Sequence, residues 1–253
     1  MIPVCLSIAG ADPSAGAGIQ ADLKTFASLG CYGATVISAL TVQNTQGVQS
    51  IHGIDPELVR EQLLAVMEDM PVKAIKIGML SNSETIEAIA PILTKADVPI
   101  VLDPVLSSSS GATFLSENGV KQLINHLLPI STLVTPNVKE ACQITQTPFG
   151  KDISIEFLAR GLKGLGAKAS LITGGDMQGS KKNDWFFILN DKGACYEEKL
   201  EQPTINTKNS HGTGCTLSSA ITALLAQGEP LHSAVKQANG YVHQWLRQCR
   251  DFF

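Results

Sequence analysis

The sequence predicts an α/β protein with a mostly parallel central sheet, and three observations lead there. Strand-like and helix-like segments alternate almost throughout, which is how parallel strands joined by crossover helices read. The chain has 253 residues, 44% apolar and only 17% charged against roughly 25% in an average soluble domain, so a large interior can be buried. Residues 185–189 and 194–196 flank the turn-like Asn190-Asp191-Lys192-Gly193, so the sheet is expected to become antiparallel at that edge. With no linker and no internal repeat, residues 1–253 read as a single domain.

The elements follow in order. Residues 1–8 form a short apolar run with no basic leader, entering a Gly/Pro loop, which suits a first buried strand better than a signal peptide. After the loop 10–18, Ile19, Leu23, Phe26 and Leu29 have helical spacing, closed by Gly30. Residues 32–42 are small and β-branched, a strand leading into a polar piece, 43–47, that is expected to edge a pocket. Asp55-Pro56-Glu57 places a cap and a first-turn proline before the apolar positions Leu58, Val59, Leu63, Leu64 and Met67 of the next helix. Strands are expected at 74–77, 99–105, 132–135 and 169–173, and helices at 83–93, 119–128, from Pro136-Asn137 onward, and at 153–165. A polar, Gly-punctuated loop, 206–215, then runs into a helix of small and aliphatic residues, 216–225, and a last helix spans Leu231 to about Leu246.

Composition excludes several function classes. A net charge of −4 without a basic run argues against nonspecific nucleic-acid binding and against a polybasic membrane contact. Cys5, Cys31, Cys142, Cys195, Cys215 and Cys249 show neither Cys-x-x-Cys nor metal-like spacing, so reduced thiols are expected rather than a disulfide framework or a zinc site. No apolar run approaches the ~20 residues of a membrane span. A soluble, cytoplasmic protein is the expectation.

Chemistry gathers where the strands end. Asp12, Gln43, Met79, Asp103, Asn137, Gly174 and the loop at Gly212 all follow expected strands, and on a parallel sheet that places them along one rim, where ligands bind. Each also has a plain structural reading: Asp12-Pro13 as a turn, Asn137 as a helix cap, Asp103-Pro104 as a strand exit. Gly212 and Gly214 allow close backbone approach at a helix start whose amides favour phosphate or a developing negative oxygen, though the pair also reads as a simple turn. Cys215 lies in that field, which pushes a thiol toward its thiolate. Neither a Walker loop nor Gly-x-Gly-x-x-Gly after a strand is present. Asn137 and Glu140, spaced i, i+3, share one helix face and could approach a hydrated magnesium ion; Glu140 also reads as a first-turn helix charge.

Long stretches of the chain then agree with one family. Ile8-Ala9-Gly10-x-Asp12-Pro13-Ser14-x-Gly16-Ala17-Gly18, Gln20-Ala21-Asp22-Leu23-Lys24, Val42-Gln43-Asn44-Thr45, Lys76-Ile77-Gly78-Met79-Leu80, Leu102-Asp103-Pro104-Val105, Pro136-Asn137-x-x-Glu140 and Asn206-Thr207-Lys208-Asn209-x-His211-Gly212-Thr213-Gly214-Cys215 resemble the hydroxymethylpyrimidine/phosphomethylpyrimidine kinases of the ribokinase-like superfamily. The resemblance runs in unbroken order over essentially the whole chain. It implies a three-layer α/β/α sandwich, usually a homodimer, that uses Mg²⁺ and ATP to phosphorylate 4-amino-5-hydroxymethyl-2-methylpyrimidine and then its monophosphate. By the same resemblance Gly10, Asp22, Gln43, Met79 and Val105 line the pyrimidine pocket. Asp103, Asn137 and Glu140 act through the ATP phosphates and magnesium, with Asp103 and Glu140 as metal ligands. Thr173, Gly175 and Lys208 contact ATP. Gly212, Thr213, Gly214 and Cys215 form the anion hole, with Cys215 at the place where sugar kinases of the superfamily carry a catalytic Asp.

Two departures bear on activity. Relatives commonly have lysines where this chain has Ser109 and Thr173, so two cations near the transferring phosphates are missing. A weakened second phosphorylation, or partial substitution by Lys208 or Lys24, is one expectation. A pyridoxal/pyridoxine kinase of the same superfamily and a pyrimidine-binding protein of reduced turnover are the alternatives.

Overall fold

A computed structural model describes residues 1–253 except positions 45, 108–110, 112, 151–152, 175–180, 190–194, 204, 206–210 and 249–253. The order is β1 Val4–Ala11, α1 Gly18–Ser28, β2 Tyr32–Asn44, β3 Gly47–Gly53, α2 Pro56–Asp69, β4 Val72–Ile77, α3 Ser83–Leu93, β5 Ile100–Leu102, α4 Glu117–Gln122 with a π-turn at Leu123–Leu127, β6 Leu133–Val134, α5 Val138–Ile144, α6 Ile155–Gly164, β7 Ala169–Thr173, β8 Lys181–Leu189, β9 Cys195–Pro203, α7 Thr213–Ala226 and α8 Leu231–Gln248. The strands form one sheet in the order β3-β2-β1-β4-β5-β6-β7-β8-β9. From β2 to β7 neighbours run parallel, while β3, β8 and β9 are antiparallel.

Alternation of side chains across the sheet makes two cores. Leu6, Ile8, Val36, Ile75, Ile77 and Leu102 face α2, α3 and α6 through Val59, Leu63, Ile86, Ile89, Leu158 and Leu162. Ala74, Val101, Leu133, Leu171 and Phe186 face α7 and α8, and Cys5 and Phe26 pack beside Ala223 where α1 meets α7. Helix α7 is buried continuously from Thr216 to Leu225, because the sheet, α1 and α8 surround it. That explains its run of small and aliphatic residues.

The structure departs from the sequence reading in three places. The polar piece after β2 does not simply edge a pocket; it turns the chain back into β3, so both sheet edges are antiparallel. Strand β5 stops at Leu102, three residues early, because Pro104 has no N–H and the Val105 amide turns back onto the Asp103 carbonyl at 2.8 Å. Helix α7 begins at Thr213, a turn before the expected Thr216. The predicted hairpin strands are β8 and β9; the turn joining them lies outside the described residues. Among the described residues Cys5, Cys31, Cys142 and Cys215 are free thiols, and no helix is long and apolar enough to cross a membrane.

Candidate active site

Strand β1 has its two parallel neighbours, β2 and β4, on opposite sides, which makes its C-terminal end the switch point of the sheet. The loop leaving β1 is organised by Asp12. Its Oδ1 accepts from the Ser14 amide and hydroxyl, and its Oδ2 from the amides of Gly16 and Ala17. Ala15 is thereby held at φ +59°, and Gly18, also at +59°, lies so close to the Gly10 carbonyl that a Cβ would stand 2.4 Å from its oxygen. The start of α7 rests on this loop. Gly212, its N-cap at φ +79°, has no room for a Cβ, which would fall 1.8 Å from the Gly16 carbonyl oxygen.

Gly212, the N-cap, offers no side chain of its own to cap α7, and the first intrahelical bond runs from the Thr216 amide to the Gly212 carbonyl at 2.9 Å. Thr213, Gly214 and Cys215 therefore occupy the first three helical positions, whose amides an α-helix leaves without internal acceptors. Gly214 is exposed, and its missing side chain faces the end of β5: a Cβ would stand 3.9 Å from Asp103 Oδ2. The structure thus brings the expected anion-hole segment to Asp103.

Behind this junction lies a charged cluster that sequence reasoning missed. Lys76, on β4, is fully buried and donates to Asp22 Oδ1 at 2.6 Å. Ser219 of α7 donates to the same oxygen at 2.7 Å, and Ser7 of β1 to Oδ2 at 2.5 Å. A Cβ on Gly78 would stand 3.2 Å from the Lys76 ammonium, so Gly78 makes space for it. Burial alone would lower the Lys76 pKa, but Asp22 first, then Cys215 and Asp103, carry it above the ordinary value. Asp103 is 5% exposed and takes a 2.9 Å hydrogen bond from Ser218. Burial raises its pKa, with Lys76 and Ser218 opposing. Asp22, expected to line the pyrimidine pocket, is fully buried, and its carboxylate accepts from Lys76, Ser7 and Ser219.

Cys215 also corrects an expectation. Its thiol is pushed up to about 11 by burial, and Lys76 and the Gly18 N–H do not overcome that, while Asp22 and Asp103 add to it. The balance at Cys215 is upward, opposite to the lowering expected at a helix start.

On the β1–β2 side, Gly10 and Met79 are neighbours: a Cβ on Gly10 would stand 3.0 Å from Met79 Sδ. Met79 is buried, its carbonyl accepting from Ser38 at 2.6 Å. Gln43, near the end of β2, is partly buried, and its amide lies 2.8 Å from His211 Nε2. His211 is a second residue to which sequence reading gave no role. Val105 is half-buried, two residues past Asp103.

On the β6–β7 side, Asn137 and Glu140 form a reciprocal cap on α5, each side chain accepting from the other's amide at 2.9 Å. The structural reading of this pair is what the geometry displays. Thr173 sits next to it, bridged to Asn137 and donating its amide to Pro136 at 2.9 Å. Among the described residues no group of three or more His, Cys, Asp and Glu is placed to hold a metal. Gly175, Lys208 and Ser109 lie outside the described residues. Lys24 donates to the Ala15 carbonyl at 2.8 Å, on the outside of the β1 loop.

A model of one protein family, phosphomethylpyrimidine kinase, matches residues 12–252. The chain belongs to the phosphomethylpyrimidine kinase family. This kinase-family chain is 46% identical over 244 residues to a hydroxymethylpyrimidine/phosphomethylpyrimidine kinase of Rhizobium meliloti, covering 96% of this chain and 90% of that protein. Among solved structures, phosphomethylpyrimidine kinase from Clostridium difficile 630 superposes with a TM-score of 0.83 at 36% identity, covering 97% and 100% of the two chains. A Bacillus subtilis pyridoxal kinase solved with ADP gives 0.84 at 32% identity, covering 95% and 90%. The fold of the family member is the ribokinase-like α/β/α arrangement, with antiparallel strands at both edges.

Proposed function

We propose that this chain is one kinase domain that transfers the γ-phosphoryl group of ATP to the alcohol of 4-amino-5-hydroxymethyl-2-methylpyrimidine, and then to the resulting monophosphate. The observation that carries the reading, beside family membership, is the meeting of the glycine-led start of α7 with Asp103 at the end of β5. Phosphoryl transfer asks a protein mainly for alignment and for compensation of spreading negative charge, and helix-start amides backed by a buried ammonium supply that. Gly212, Thr213, Gly214 and Cys215 cradle the transferring group. Gly10, Gln43, Met79 and Val105 hold the ring, while Asp22 acts behind them through Lys76.

With a neutral thiol, Cys215 serves as a packing and hydrogen-bonding group in the cradle rather than as the base. A loose transition state makes little demand for early deprotonation of the alcohol. Asp103 and Glu140 are hard oxygen donors of the kind magnesium takes; they would hold the ion, which would offset phosphate charge when bound. Asn137, Thr173, Gly175 and Lys208 are assigned to the ATP side. A homodimer in the cytoplasm completes the proposal.

A coupled ATP-consumption assay with the pyrimidine alcohol, followed by mass analysis for mono- and diphosphate, tests it. The expected result is both products, the diphosphate more slowly because lysines are lacking at positions 109 and 173. Equal efficiency in both steps removes the second point, and background ATP use with measurable pyrimidine binding leaves only a binding protein. A vitamin B6 kinase is the second reading, favoured by the likeness to pyridoxal kinase structures. Adding pyridoxal and pyridoxine to the acceptor panel separates the two.

A further inference from the structure

His211 stands between two side chains that make opposite demands on one nitrogen. Its Nε2 lies 3.0 Å from Asp12 Oδ2 and 2.8 Å from the terminal NH₂ position of Gln43. Asp12 is 2% exposed, and although burial pushes its pKa up, His211, Ser14 and the Ala17 amide hold it at about 2. It is a carboxylate, and a carboxylate only accepts, so the Nε2 facing it carries a hydrogen. That nitrogen then has no lone pair for an amide NH₂. The other end of the Gln43 amide meets a second conflict: it lies 3.5 Å from the Thr41 hydroxyl, whose single proton already goes to the Ala11 carbonyl at 2.9 Å.

Turning the amide over resolves both. Oε1 then shares the single His211 Nε2–H with Asp12 Oδ2 in a three-centre bond, and the NH₂ faces a lone pair of Thr41 Oγ1 with a second hydrogen to give elsewhere. We infer that His211, held by Asp12 with its proton on Nε2, fixes Gln43 as a hydrogen-bond donor toward the acceptor substrate and so selects a heteroaromatic ring with an unprotonated nitrogen. The selection rests on the placement of Gln43 in the ring pocket proposed above; the orientation of the amide does not. His211 and Asp12 are positioning residues, acting through Gln43.

Two measurements test this. Nitrogen NMR on unliganded protein with ¹⁵N-labelled histidine at pH 8, the His211 signals identified by their loss in His211→Asn, reports which ring nitrogen carries hydrogen. A protonated Nε2 is the expected result, and an unprotonated Nε2 with hydrogen on Nδ1 alone overturns the inference. Calorimetry then compares the pyrimidine alcohol with an analogue in which the ring nitrogen beside the amino-bearing carbon is C–H. Wild type is expected to bind the analogue about tenfold more weakly, and His211→Leu to lose most of that discrimination. Equal binding of the two by wild type overturns the selection. If neither binds while Nε2 is protonated, the pyrimidine reading and the selection fall together, and the orientation of Gln43 stands.

Discussion

Burial acts on Cys215 with nothing strong enough to oppose it: the Lys76 charge and the Gly18 amide pull its pKa down, yet the thiol rises to about 11. A thiol is ionised above its pKa, so near pH 8 only about one molecule in a thousand carries the thiolate. Iodoacetamide labelling of Cys215, followed peptide by peptide, is expected to be far slower than for an ordinary cysteine at pH 8 and to climb toward pH 11; fast labelling at pH 8 contradicts the assignment. Asp12 moves the other way. Burial raises its pKa, but His211, Ser14 and the Ala17 amide bring it to about 2, below the unfolded value near 3.8. A depressed carboxylate stabilises the fold above its unfolded pKa, and the contribution is lost as pH falls from about 4 through about 2. About 2 kcal/mol is at stake. Urea melts of wild type and Asp12→Ala are expected to differ most near neutrality and to converge toward pH 2, and a gap independent of pH refutes the assignment.

Among the elements, α7 carries the site because of how it starts. Gly212→Ala is expected to be severe: the left-handed backbone alone costs about 1–2 kcal/mol for a residue with a Cβ, and the methyl group would collide with the Gly16 carbonyl. Low thermal stability and a loss of activity beyond tenfold should appear together, and a variant with wild-type melting and kcat refutes the close approach. Most elements were legible in the sequence, since the spacing of Ile19, Leu23 and Phe26 or the cap at Asp55 is local information. β3 was not, because Gly47–Gly53 is a partly polar edge strand bounded by glycines, and its partner decides its fate. The rim residues were found by their place after strands, and the motif resemblance supplied the rest of the site. Lys76 and His211 escaped notice as actors because their partners are remote: Asp22 is 54 positions from Lys76, and Gln43 is 168 from His211. The lone lysine in the apolar run Ala74-Ile75-Lys76-Ile77 was the one available signal.

For the whole molecule, the three layers are joined by apolar contacts on both faces of the sheet, with the buried Lys76–Asp22 ion pair set among them. Lys76 on the sheet, Asp22 on α1 and Ser219 on α7 tie three elements that lie far apart in sequence. Removing one partner of such a pair strands the other charge, which typically costs about 3–5 kcal/mol, or roughly 10 °C in melting temperature at this chain length. Lys76→Met is expected to lose that much, and Lys76→Met with Asp22→Asn to recover part of it. A thermal melt of each variant decides the matter: if the double variant is no better than the single, Asp22 is not the stranded group.

The missing side chain of Gly212 also limits how this scaffold can be rebuilt. Since the turn after β1 and the entrance to α7 nest against each other with no spare volume at Gly16 and Gly212, neither segment is an independent module. Exchanging one with a homologous sequence of different shape should cripple folding, whereas transplanting residues 10–18 and 211–215 jointly should preserve it. A library that randomises the two regions separately would then discard nearly every combination worth having.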